Sequence, residues 1–329
     1  MIISQTPLRI SLCGGGTDFK EYYSQREGLV VSTAIDKYVF VIVKGRFDDL
    51  IYINYTKKEI VRNVDEIQHD LVREAAKKTG IKCGVEITML ADIPSEGSGL
   101  GSSSSLLVGL LNAFYNYNGI LVTAEQLAQE ACEIEIEILK QPIGKQDQYI
   151  AAYGGLCTFR FCKDGSVETE HLNISNEIKR KLGSNLALFY TNVTRRSSSI
   201  LTEQKLNINK NIELHDKIKN MAFLTKEALL KGQIDWIGSL LSKNWEIKKE
   251  LSSNITNCEI EAIYEKAISG GALGCKIAGA GGGGFLLSYC RLAEQDKLRK
   301  AMMGYREFPF MLESYGTKII FDYRRYDWK

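Results

Sequence analysis

A chain of 329 residues with 44% hydrophobic and 25% charged side chains has room for two globular domains and is excluded from the disordered and fibrous classes. Its 42 basic residues nearly balance 40 acidic ones, leaving a formal net charge of +2, so no global field drives it onto nucleic acid or an anionic membrane and any anion must be held locally. The apolar run at the start is too short for a signal peptide, and no stretch of about 18 apolar residues spans a bilayer; a cytoplasmic protein is expected.

The three histidines lie far apart, and the eight cysteines (Cys13, Cys83, Cys132, Cys157, Cys162, Cys258, Cys275, Cys290) form no CxxC pair, so the usual zinc spacings are absent and reduced, mostly buried thiols are expected. With no repeat or proline-rich linker, periodicity must supply the organisation. The first third alternates in β fashion, with runs rich in Ile, Val and Tyr at 8–12, 30–35, 38–44, 51–55 and 84–89. The first run carries Arg9 and leads into Gly14, Gly15, Gly16, Thr17 and Asp18. A dinucleotide fingerprint would need a glycine where Phe19 stands, and Asp18 would repel a pyrophosphate. An acid beside exposed backbone suits hydroxyl recognition instead, because a carboxylate accepts hydrogen bonds from two vicinal sugar hydroxyls.

The segment Pro94-Ser95-Glu96-Gly97-Ser98-Gly99-Leu100-Gly101 passes through Ser102, Ser103, Ser104 and Ser105 straight into a helix predicted over 102–117, where Leu106, Leu107, Leu110, Leu111 and Phe114 recur at helical spacing. Glycines permit close backbone approach, and a helix N-terminus presents N–H groups to phosphate. Gly-Lys followed by Ser or Thr is missing, so the loop is not of the Walker type. A plain Gly-Ser linker is the bland alternative, at odds with the periodic helix that abuts it.

A second helix is predicted over 123–139, opening on Thr123 and Gln126 as a capping box. At 100° per residue Glu135 shares a face with Ala128, Ala131, Cys132, Ile138 and Leu139, whereas Glu133 and Glu137 point away. A lone acid on an apolar face needs a partner, either Mg²⁺ or a buried salt bridge. Residues 142–149 then present Asp147 on a turn, as a proton acceptor or an ordinary turn aspartate; spacing alone does not choose. A hairpin follows at 155–161 and 167–172, and a strand at 185–191 opens a second region, dividing the chain into 1–180 and 181–329. That region is expected to hold helices at 212–231, 235–251, 259–269 and 293–303 and strands at 274–278, 284–290 and 318–323. Two α+β halves with a ligand cleft between them result. The run Gly279-Ala280-Gly281-Gly282-Gly283-Gly284 costs more folding entropy than a hairpin turn requires, which predicts close approach to a ligand.

Together these segments resemble the three motifs of the GHMP kinase superfamily, in order from Pro7 to Phe285. The resemblance implies an α+β fold with a ribosomal protein S5 domain 2-like N-terminal domain and a ferredoxin-like C-terminal domain. It implies ATP and Mg²⁺ as cofactors, with Pro94, Gly97, Gly99, Leu100, Gly101, Ser102, Ser103 and Ser104 around the phosphates, and Ser103 and Glu135 as Mg²⁺ ligands. Asp147 falls at the catalytic aspartate, Arg9 where relatives keep a cation steadying its ionised form, and Gly281 and Gly282 within the third motif. Pro7-Leu8-Arg9-Ile10-Ser11-Leu12-Cys13-Gly14-Gly15-Gly16-Thr17-Asp18 departs from the Gly-Glu-His of galactokinase and mevalonate kinase. It is similar instead to heptose 7-phosphate kinases and the kinase half of fucokinases, which places Gly15, Gly16, Thr17 and Asp18 on the sugar. The stretch around Arg195 and Arg196 also resembles the heptose enzymes, and paired arginines suit a substrate phosphate.

The resulting expectation is transfer of the ATP γ-phosphoryl group to the anomeric hydroxyl of D-glycero-D-manno-heptose 7-phosphate, giving the 1,7-bisphosphate for nucleotide-activated heptose synthesis. The partners are a sugar phosphate and ATP, with no nucleic acid or membrane. The alternatives are a fucokinase-like or galactokinase-like enzyme and a non-catalytic sugar and ATP sensor on the same fold.

Overall fold

The computed structural model describes residues 1–93, 97–193 and 197–323; of the expected site residues, Pro94, Arg195 and Arg196 lie outside them. Alternation in the first 45 residues builds two long strands, β1 (Ile2–Cys13) and β2 (Gly28–Gly45), paired antiparallel around helix α1 (Lys20–Arg26). The runs expected separately at 30–35 and 38–44 are this single strand, with a register shift between Pro7 and Leu8 of its partner. Toward its end β2 pairs with β5 (Val85–Ala91), which carries β3 (Ile51–Asn54) and β4 (Lys58–Val61). At its start β2 pairs with β6 (Leu156–Phe161), which carries β7 (Val167–His171).

Helices α2 (Asp70–Thr79), α3 (Ser102–Tyr117), α4 (Ala124–Cys132) and α5 (Gln146–Tyr153) complete the first core, in which Val41, Ile53, Ile87, Leu107, Leu111, Phe114 and Ile150 are fully buried. Each such Leu, Ile or Phe contributes about 1.5–3 kcal/mol relative to exposure. Half of the expected capping box forms: Thr123 accepts from the Gln126 N–H, while the Gln126 side-chain amide donates to Glu130 one turn on. Two details differ. The helix expected to run to residue 139 ends at Cys132 and continues as a π-helical turn, Glu133–Ile138. Asp147 stands in the first turn of α5 rather than on a loop.

The division expected at residue 180 falls inside α6 (Asn176–Asn185), after which β8 (Leu186–Tyr190), α7 (Ser197–Leu206), α8 (Ile212–Leu230), α9 (Asp235–Lys249) and α10 (Cys258–Ser269) precede the hairpin β9 (Gly274–Ile277) and β10 (Phe285–Tyr289) and helix α11 (Gln295–Ala301). Strands β8, β10 and β9 form a three-stranded antiparallel sheet in that order. The last strand, β11 (Lys318–Asp322), does not stay with the second region. It pairs with Ile2–Gln5 of β1 and covers an edge of the first sheet. Leu8, Ile10 and Leu12 of β1 share one buried cluster with Leu188, Leu241 and Leu287, so the two regions meet on this face of β1. Period-two alternation turns Arg9 and Ser11 to the other face. No described helix is long and apolar enough to cross a membrane.

Candidate active site

The glycine loop enters α3 through Gly101 at φ +76°, and no side-chain capping bond closes that helix start. Gly99, at φ +71°, lies so near the third glycine run that a Cβ there would stand 2.5 Å from the Ala278 carbonyl oxygen and 2.9 Å from its carbon. Both demands, left-handed backbone and no room, restrict the position to glycine. The run at 279–284 therefore makes its close approach chiefly to the protein's own backbone: a Cβ on Gly284 would come within 2.6 Å of the Gly97 carbonyl oxygen. Gly281 packs on Ile255, and the Gly282 N–H donates to the Ile255 carbonyl. The expected approach to ligand becomes, in these contacts, one glycine loop buttressing another.

Arg9 joins this loop to Asp147. Its Nε donates to Asp147 Oδ1 at 2.8 Å and its Nη2 to Oδ2 at 2.6 Å, a two-bond fork that fixes the plane of the carboxylate. Its Nη1 donates to the Gly99 carbonyl, and its backbone N–H donates to the Leu100 carbonyl. The Asp147 carboxylate faces the helix start directly, because a Cβ on Gly101 would lie 3.3 Å from its Oδ2. The Arg9 side chain is 6% exposed and that of Asp147 23%, so part of the carboxylate remains open to the cleft.

Glu135 has a different environment. It is 1% exposed and accepts from Ser103 Oγ at 2.7 Å, Ser104 Oγ at 2.6 Å and the Gln148 side-chain amide, all neutral donors. Burial pushes its carboxyl above the ordinary range, against the downward pull of these bonds. The π turn, marked by Leu139 N–H donating to the Ile134 carbonyl, explains why Ile138, placed beside Glu135 on an α-helical wheel, is instead 47% exposed. A buried carboxylate met only by hydroxyls and an amide fits a hard divalent cation. Ser103 and Glu135 supply two oxygens, and among the described residues no group of three or more acidic, His or Cys side chains could hold a metal by itself, so phosphate oxygens would complete the shell.

Beyond Asp147 the cleft is lined by Ser11, Gly15, Gly16, Asp18, Gln146, Asn244, Lys248 and Lys276, among others. Asp18 is 2% exposed; its Oδ1 accepts from the Gly16 N–H at 2.9 Å and its Oδ2 from the Gln146 N–H at 3.2 Å. Burial raises its carboxyl, offset in part by those two donors. Thr17 turns inward, bonding the Gly14 and Leu29 carbonyls, so it shapes the turn. Leu100 is fully buried and anchors the loop.

Lys248 and Lys276 were not anticipated from sequence. Lys248 is pushed down to about 7, first by burial and then by Lys276 and Arg9, and Lys276 to about 8, mainly by burial. A signal existed, for Leu241, Asn244, Trp245 and Lys248 follow i, i+3, i+4, i+7 spacing and all are buried. Two polar residues on an apolar stripe mark a site. Three buried polar atoms in this lining, Ser11 Oγ, Gln146 Oε1 and Asn244 Oδ1, have no hydrogen-bond partner among the described residues, as expected of groups that await a polar ligand.

With this geometry in place, two family models match the chain: the GHMP kinases N-terminal domain over residues 54–155 and the GHMP kinases C-terminal domain over 225–305. The chain is 34% identical to a D-glycero-alpha-D-manno-heptose 7-phosphate kinase of Campylobacter jejuni, over 95% of this chain and 97% of that protein. It is 30% identical to an L-fucokinase/L-fucose-1-P guanylyltransferase of Bacteroides fragilis over 87% of its length, spanning 34% of that longer protein. The crystal structure of a D-glycero-D-manno-heptose 1-phosphate kinase from Bacteriodes thetaiotaomicron superposes with a TM-score of 0.83 at 26% identity, covering 98% of this chain and 100% of that one. The chain belongs to the GHMP kinase family of ATP-dependent phosphotransferases.

Proposed function

We propose that this protein, an ATP-dependent sugar kinase by its family, transfers the γ-phosphoryl group of ATP to the anomeric hydroxyl of D-glycero-D-manno-heptose 7-phosphate, giving the 1,7-bisphosphate. The observation that carries the kinase chemistry is Asp147, held by the Arg9 fork and facing the start of α3 with Gly101 between them. The substrate class rests on the 34% identity over 95% of the chain to a heptose 7-phosphate kinase.

The glycine loop and the N-terminus of α3 receive the triphosphate. Asp147 accepts the proton of the attacking hydroxyl, whose oxygen bonds to the γ-phosphorus as the bond to the ADP oxygen breaks. Arg9 keeps the base and the loop in register through its bond to the Gly99 carbonyl, so positioning supplies much of the rate. Asp18 with Gly15 and Gly16 orients the sugar hydroxyls, and Arg195 and Arg196 are assigned to the 7-phosphate. Magnesium, held by Ser103 and Glu135, supplies charge neutralisation at the phosphates when bound.

ADP release measured over a panel of heptose and hexose phosphates together with the free hexoses, L-fucose among them, tests the reading. The expected result is a kcat/KM for heptose 7-phosphate at least about two decades above any unphosphorylated hexose, since the charged contacts to the phosphate are lost with the latter. A second reading, a fucokinase-like enzyme, is favoured by the 30% identity over 87% of the chain to the fused fucokinase. Faster turnover of L-fucose, with indifference to substitution of Arg195 and Arg196, would establish it instead.

A further inference from the structure

The cleft holds more positive charge than the reaction as described uses. Arg9, Lys248 and Lys276 line it against the carboxylates of Asp18 and Asp147, and Arg9 is already committed to Asp147. The two lysines arrive from the second region, on α9 and β9, and both are buried, 5% and 2% exposed. Their hydrogen-bond partners are carbonyls: Lys248 Nζ donates to Gly279, and Lys276 Nζ to Ser11 at 2.9 Å and Leu12 at 3.2 Å. Lys276 thus spends two of its three donors on tying the hairpin to β1, whereas Lys248 spends one.

A buried ammonium met only by a carbonyl is costly unless something else stabilises it. The carbonyl that Lys248 reaches belongs to Gly279, which abuts Gly99, whose own carbonyl accepts from Arg9. Lys248 therefore stands one glycine contact away from the loop and the reacting carboxylate. One turn earlier on α9, Asn244 brings a buried side-chain oxygen with no partner to the same wall. We propose that Lys248 is a further residue of the reaction site, holding a phosphate-class oxyanion between the glycine loop and the sugar turn. The oxyanion is either the phosphoryl group in transit or the phosphate of the sugar. The assignment rests on the kinase reading of the cleft and not on the identity of the sugar.

The groups facing Lys248 are Arg9 and Ser11 of β1, Asp18 of the following turn, Asp147 of α5, Lys276 of β9 and the Gly279 carbonyl, with Asn244 on its own helix. Their balance leaves the free amine titrating at about 7. Protonated, it can hold an oxyanion; deprotonated, it cannot. An anion in the cleft raises the amine's pKa, so the free enzyme loses this contact as pH rises through about 7 while the complex keeps it to higher pH.

Lys248→Met and Lys248→Arg in the full chain test the proposal, with inorganic phosphate titrated calorimetrically into the complex with ADP and Mg²⁺. The methionine variant should weaken phosphate about tenfold near pH 6.5 while ADP affinity changes less than about twofold, and arginine should restore most of the loss. Unchanged phosphate affinity overturns the proposal. In turnover, wild-type kcat/KM should show an alkaline limb near the amine's pKa that the arginine variant lacks, because its guanidinium stays charged. A fall in kcat of about two decades with any accepted sugar assigns the oxyanion to the phosphoryl in transit. A rise in KM confined to phosphorylated sugars assigns it to the substrate phosphate. A loss accompanied by a lower Tm and not rescued by arginine marks a merely structural tie and overturns the idea. If wild-type protein turns over no heptose phosphate, the substrate reading fails, yet the phosphate titration still reads Lys248.

Discussion

Glu135 lies in the π turn that follows α4 and Asp147 in the first turn of α5, yet Asp147 is gripped by a guanidinium and Glu135 by two hydroxyls and an amide. Asp147 keeps an exposed edge, whereas Glu135 is sealed at 1% exposure. On the proposed reaction, an acid fixed in plane by a guanidinium and open on one side would receive the proton of a bound hydroxyl. An acid buried among neutral donors, its carboxyl raised by burial, would on the same proposal take a cation that arrives with a ligand. The same functional group sits in two environments, and substitutions in each should separate the two proposed roles.

The largest effect falls on Asp147. Asp147→Asn removes the proton acceptor and leaves Arg9 facing an amide, so kcat should drop by about two or more decades while fluorescent-nucleotide binding is largely kept. Unchanged turnover would refute the role and leave the fork as a structural ion pair. Next comes Arg9→Lys, which keeps the charge but loses the two-bond fork and the tie to Gly99. Here kcat should fall about tenfold with KM for ATP rising as the loop loosens, because an ammonium cannot fix the carboxylate plane. A wild-type kcat in this variant would mean that charge alone suffices.

Glu135→Gln probes the other environment. Its neighbours can rearrange around an amide, since Gln148 Oε1 is buried without a partner and can accept after a flip. The Mg²⁺ concentration for half-maximal activity should rise about tenfold, read by titrating the metal at saturating ATP. Stability should move the other way. The folded-state carboxyl titrates above its ordinary 4.5, so the protonated form's contribution is whole below that value and is lost as pH rises through the raised one. Metal-free Glu135→Gln should therefore melt at or above the wild-type Tm near about pH 8, with its advantage vanishing toward about pH 4. A lower Tm across the whole range would show that the wild-type carboxylate is already well satisfied.

Much of this was legible in the sequence wherever the signal was local. The helix at 102–117 appears with those bounds, and its glycine entrance follows from residues that admit few alternatives. The spacing of Glu135 on an apolar stripe foretold its burial, though the π turn that delivers it depends on i to i+5 bonds no wheel reveals. Arg9 and Asp147, 138 positions apart, were joined only by family resemblance, because side-chain pairing across a fold leaves no periodic trace. The return of β11 to β1 is equally silent, because alternation marks a strand without naming the strand it pairs with. Lys248 and Lys276 were passed over because lysines near helix ends and in short strands ordinarily reach solvent. Only the packing of α9 against β1 and β9, and the bonds of Lys276 to the Ser11 and Leu12 carbonyls, turn them inward.

The smallest prediction concerns Glu133, two residues from Glu135 in the run Glu-Ile-Glu-Ile-Glu-Ile. It pairs with Lys78 at 2.6 Å, with side chains 44% and 30% exposed respectively. A pair so open to solvent is screened and contributes about 0.2–1 kcal/mol. Glu133→Gln should therefore change Tm by no more than a few degrees, leave the Mg²⁺ requirement unaltered, and keep kcat within about twofold of wild type. The contrast with Glu135→Gln is the sharp part, because both variants remove one negative charge from the same π turn. If Glu133→Gln raised the Mg²⁺ requirement as much as Glu135→Gln, the metal would be sensing the general field of an acidic segment, and the buried Glu135 with Ser103 would lose its claim to hold it.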